Sequence, residues 1–116
     1  MDSALPLRPG APSFIMALTP TAGPATLSPM RAGQGDVVYL FDATKFPSGA
    51  RAWIGYGMTS SVAQANASVP LIGTPSSALP LAAGTVQGFT LSGGLYFAGI
   101  MEQGSGVVAC AIGFGV

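Results

Sequence analysis

The sequence has no histidine, one cysteine, and only four basic and four acidic residues among 116. Without histidine the commonest general base and nitrogen metal ligand are gone, so Ser-His-Asp and Cys-His catalytic arrangements are excluded. The lone cysteine, Cys110, closes no internal disulfide; between Ala109 and Ala111 it reads as a small buried hydrophobe. Arg8, Arg31, Lys45 and Arg51 are too few and too scattered for a basic patch, which argues against nucleic-acid binding. The longest apolar run, Val107 to Val116, is ten residues, too short for a membrane-spanning helix. Met1-Asp2-Ser3 puts an acid where a secretory leader carries cations, so no signal peptide is expected.

Charge is scarcest in the second half. From Ala52 to Val116 the only charged side chain is Glu102, and the whole chain is 7% charged, against about a quarter in an ordinary soluble domain. Net charge is zero, which favours association over a solitary monomer. Much of this surface is therefore expected to be covered by other copies of the chain or by a larger assembly.

The few acids offer little chemistry. Asp36 and Asp42 bracket the run Val37–Phe41, which as a strand holds them about 20 Å apart; they suit turn positions at strand ends. A glycosidase-like pair drawn from Asp36, Asp42 or Glu102 lacks any supporting cluster. Gly104-Ser105-Gly106 and Gly113-Phe114-Gly115 are followed by no Lys-Ser or Lys-Thr, so they are not phosphate loops. No catalytic residue, cofactor or metal site is predicted, and the chain is not expected to be an enzyme.

What the chain has is 17 glycines, 10 prolines and short apolar runs between them. That composition predicts an all-β, single-domain antiparallel β-sandwich, jelly-roll-like, over residues 13–116. Residues 1–12, with Pro6, Pro9 and Pro12 at three-residue spacing, predict an extended Pro-rich N-terminal arm laid across a neighbour. Strands are expected at Phe14–Leu18, Ala25–Leu27, Val37–Phe41, Arg51–Met58, Val69–Ile72, Ala78–Leu81, Thr85–Leu91, Leu95–Met101 and Val107–Phe114. The unbroken apolar character of Val37–Phe41 suits burial on both faces. Pro70 and Pro80 point to edge strands. The turns Ser92-Gly93-Gly94 and Glu102–Gly106 predict that the last three strands are consecutive hairpins. Thr59–Ala67 reads as a loop or one short helical turn. Within Arg51–Met58, Trp53, Gly55 and Gly57 share one face, and the glycines there leave room for another backbone to approach. Tyr39, Trp53, Tyr56 and Tyr96 could stack on sugar rings if they shared an exposed face; core or subunit packing is the plainer reading, with Trp53 and Tyr56 joining Pro6, Pro9 and Pro12 as candidate interface residues.

Four segments carry a resemblance: Asp36-Val37-Val38-Tyr39-Leu40-Phe41-Asp42, Ala52-Trp53-Ile54-Gly55-Tyr56-Gly57, Leu79-Pro80-Leu81-Ala82-Ala83-Gly84-Thr85-Val86-Gln87-Gly88-Phe89, and Ala98-Gly99-Ile100 through Gly104-Ser105-Gly106-Val107-Val108. Their succession resembles the small β-sandwich virion structural proteins of tailed bacteriophages. It departs from that pattern at Leu40-Phe41-Asp42, where an Asn-Ala-Gly turn would stand, and in the insert Lys45–Ala50. The resemblance implies a capsid cement or decoration subunit at the virion surface. Its partners would be further copies of itself, with a trimer expected, and the major capsid protein or other virion proteins; it implies no catalytic residues. A tail, neck or fibre component is the alternative in the same class, and a carbohydrate-binding module the alternative from another.

Overall fold

The computed structural model describes residues 8–27 and 36–114. Eight strands and one helix follow in the order β1 (Arg8–Leu18), β2 (Thr26–Leu27), β3 (Asp36–Asp42), β4 (Arg51–Gly57), α1 (Ser60–Asn66), β5 (Leu79–Ala82), β6 (Val86–Ser92), β7 (Tyr96–Met101) and β8 (Gly106–Phe114). They form two four-stranded sheets, A in the order β1-β8-β3-β6 and B in the order β2-β7-β4-β5. All pairings are antiparallel. β1 pairs with β8, β2 with β7, β3 with β6 and β4 with β5. That is one long hairpin, rolled up until β8 meets β3 and β7 meets β4, which is the jelly-roll form of the β-sandwich.

Period-two alternation builds the core. In β3, Val37, Tyr39 and Phe41 are buried while Val38 and Leu40 are only half-covered. Opposite them, β7 of sheet B sends Phe97 inward, with its ring centroid 4.9 Å from Tyr39, 5.6 Å from Phe41 and 6.0 Å from Phe14. One aromatic of sheet B thus meets three of sheet A. The Tyr39 hydroxyl donates to the Ser92 carbonyl at 2.9 Å, so a fully buried phenol keeps its polar end satisfied.

The stretch Thr59–Ala67 folds as a genuine helix. Thr59 caps it, its hydroxyl accepting from the Val62 amide at 3.3 Å in the usual N-cap manner. The helix lies on the outer face of sheet B because β4 presents only Gly55 and Gly57 beneath it: a Cβ at Gly55 would fall 2.5 Å from the Ala63 carbonyl oxygen. The backbone approach expected beside Trp53 is thus made by the chain's own helix. Ala63, Ala67 and Ala98 close this small second core.

Three expectations are corrected. The last three strands are not hairpins: β6 joins sheet A, β7 sheet B and β8 sheet A again. Gly94 (φ +78°) and Gly104 (φ +69°) provide tight turns, but such turns serve a sheet-to-sheet corner as well as a hairpin, and burial of each strand chose its sheet. Val69–Ile72 is no strand; it contributes only a single bridge between Leu71 and Thr74, because Pro70 removes a ladder donor. β3 is fully buried on one face only. β1 starts at Arg8 and pairs its first residues with Ile112, Gly113 and Phe114 through two register shifts; residues 1–7 of the expected arm lie outside the described residues. By contrast, Pro80 does sit on an edge strand, β5.

Candidate interaction surface

Among the described residues no three His, Cys, Asp or Glu side chains converge on a possible metal position, and no helix is long and apolar enough to cross a membrane. Cys110 is buried on the inner face of β8, and burial pushes its thiol up to about 12, so it stays an inert core group. Asp42 accepts from the Thr44 amide at 2.9 Å and from the Thr44 hydroxyl. Those bonds hold its carboxyl below the usual range and make it the turn residue its position suggested.

Glu102 is committed as well. Glu102 Oε2 receives the Trp53 indole N–H at 2.7 Å and lies 2.9 Å from Arg51 Nε. The Arg51 guanidinium stands 5.7 Å from the Trp53 ring centroid. The Trp53 hydrogen bond, reinforced by Arg51, holds the Glu102 carboxyl below its ordinary value. A crevice of about 390 Å³ beside this trio is lined by Pro47, Ser48, Gly49, Arg51 and Glu102. Its one acid and one base neutralise each other, so it brings together no acid–base or nucleophilic set.

The distinctive surface is the outer face of sheet A. Alternation turns Ile15 and Ala17 of β1, Val107, Ala109 and Ala111 of β8, and Val38 and Leu40 of β3 to the outside. Register aligns them in rows: Ile15 beside Ala109, Ala111 beside Leu40 beside Gly88, and Val38 beside Thr90. Ile15 is 67% exposed and Val107 43%. Among the described side chains, charge enters this face only at the ends of β3, through Asp36 and Asp42. Four strands of about seven residues cover roughly 400 Å² in plan, of which the aliphatic side chains form the central part. The unbroken run Val37–Phe41 suited burial on both faces, but the sheet order leaves Val38 and Leu40 on the outer face of sheet A, half-exposed.

The residues singled out as an interface do not form one surface. Pro6 lies outside the described residues. Pro9 and Pro12 are within β1, and Pro12 is exposed. Trp53 is half-buried on the outer face of sheet B, while Tyr56 points the other way and packs on the main core. Tyr39 is fully buried, and Tyr96 packs on the Ala63–Ala67–Ala98 cluster. The four aromatics therefore share no exposed face. Comparison of the chain with protein-family models, with curated proteins and with solved structures returns no match.

Proposed function

We propose that this protein is a virion structural subunit of the kind that cements or decorates the head of a tailed bacteriophage. In this reading it is a homo-oligomer seated on the major capsid protein, and not an enzyme. The observation that carries the reading is the outer face of sheet A, charged among the described side chains only at the ends of β3 and with Ile15, Val86 and Val107 exposed on it. The jelly roll adds analogy only, since capsid domains share it with lectins and cupins. The dispersal of Tyr39, Trp53, Tyr56 and Tyr96 over different environments weighs against sugar stacking.

Magnitudes favour a lattice role. Burying a face of roughly 400 Å² returns at most on the order of 10 kcal/mol even if all of it counted as apolar, similar to the cost of fixing two bodies together. One such contact is marginal alone, and repetition over a lattice raises it by avidity. A face without central charge avoids the desolvation penalty that a charged one would meet.

The test compares the wild type with Ile15→Lys and Val107→Lys by light scattering after size exclusion, and by co-sedimentation with expanded phage heads. The wild type is expected to form a discrete oligomer and to sediment with heads. The variants should no longer sediment with heads and should form a smaller oligomer, while melting as the wild type does. A wild type that stays monomeric and ignores capsids would overturn the proposal.

A further inference from the structure

Sheet edges present unpaired N–H and C=O groups to any extended chain, and folded proteins blunt them with proline, bulges, charge, shortness or cover. Three of the four edges here are blunted. β2 has two residues, and β5 has four with Pro80 among them. β1 carries Pro9, Pro12 and two register shifts, and Gly23–Thr26 lines one crevice with its Ile15–Leu18 end.

β6 has none of these devices. Its seven residues, VQGFTLS, contain no proline and no charge and keep unbroken register with β3. Among the described residues no strand pairs with its other side. The Ala43 amide donates to the Thr85 carbonyl at 2.9 Å, which sets the alternation along the ladder. Gln87, Phe89 and Leu91 turn their backbone groups to β3, and Val86, Gly88, Thr90 and Ser92 turn theirs to the open side. The one buried side-chain oxygen without a hydrogen-bond partner among the described residues, Gln87 Oε1, lies on the same strand.

We infer that β6 pairs antiparallel with β6 of a second copy about a two-fold axis through Phe89, fusing two A sheets into one continuous sheet. The strand is suited to itself. Without charge it places no like charges opposite each other, and the register centred on Phe89 is the one that pairs all seven residues. Val86 then faces Ser92, and Gly88 faces Thr90, as hydrogen-bonded pairs. Phe89 faces Phe89 of the second copy as a non-hydrogen-bonded pair, where side chains come closest. Phe89 is half-buried, its ring 6.0 Å from Phe41, and the second copy covers its free edge. An isologous contact of this kind closes at two copies. It uses a different surface from the outer face of sheet A, so neither proposal depends on the other.

Two variants test the edge. Thr90→Pro removes one donor on the open side, a position where an edge strand accepts proline. Phe89→Cys puts a thiol on the axis, while buried Cys110 leaves the wild type as an uncrosslinked control. The wild-type mass should be an even number of copies, Thr90→Pro should halve it, and Phe89→Cys should give a disulfide-linked dimer on mild oxidation. A folded Thr90→Pro at wild-type mass overturns the inference. If Thr90→Pro does not fold, the absence of a crosslink in folded Phe89→Cys does so. A monomeric wild type, as expected if the edge takes a strand of another protein, overturns it too. Capsid attachment that survives Thr90→Pro but not Ile15→Lys leaves the proposed function standing.

Discussion

Trp53 gives its indole N–H to Glu102 across a 2.7 Å hydrogen bond, and this contact occupies the only charged side chain between Ala52 and Val116. Arg51 completes the group from the start of the same strand as Trp53. The carboxylate thus serves to hold β4 against the end of β7 and is not available for chemistry.

Glu102→Gln is expected to lower stability at pH 7 by no more than about 1 kcal/mol, because the pair is at the surface and screened. The Glu102 carboxyl titrates below its ordinary value in the folded chain. Its contribution is therefore complete above the unfolded value and is lost as pH falls through the folded one. Urea unfolding of both proteins should show a gap at pH 7 that narrows and then closes as pH falls below the ordinary carboxylate range. A gap that persists in acid would show that the carboxylate's charge is not its source.

Gly55→Ala should destabilise the fold by about 1–3 kcal/mol, the usual cost of overpacking. Its new Cβ would meet the backbone of Ala63, Asn66 and Ala67 rather than a side chain that can turn aside. Gly23→Ala, with nothing within 4 Å of the added carbon, should change stability by less than about 0.5 kcal/mol. Thermal unfolding of the two variants side by side is the measurement.

Phe97→Ala should cost about 3–5 kcal/mol. Phe97 is fully buried and is the sheet B ring on which Phe14, Tyr39 and Phe41 converge. Half-buried Phe89, replaced in the same way, should cost less in the monomer. Denaturant midpoints for the two variants decide the order.

Cys110 should not react with a thiol reagent in the native protein and should react at once in denaturant, since it is buried and its thiol is raised to about 12. Cys110→Ser should be the more damaging of the small substitutions, leaving a hydroxyl in the apolar layer at a cost of about 1–3 kcal/mol. Cys110→Ala removes the sulfur without adding a polar group. Rapid native labelling would contradict the buried position.

Much of this molecule is legible in its sequence. The absence of histidine and the scatter of the acids are visible residue by residue. Turn signals and two-residue alternation mark most of the strands, because both are local properties of the chain. Gly55 and Gly57 even announce that a backbone lies beside Trp53.

Tertiary structure decided the rest, because pairing joins residues far apart in the chain. Nothing local to β6, β7 and β8 tells them to alternate between sheets; β8 is placed by β1, from the other end of the sequence, and by β3. An apolar run such as Val37–Phe41 does not record which of its faces will find a cover. A strand such as β6 does not record that it will stand at an edge. Composition and alternation determined that this is a β-sandwich poor in charge and without histidine. Only the non-local ladder decided which apolar face and which strand edge no described part of the chain pairs with.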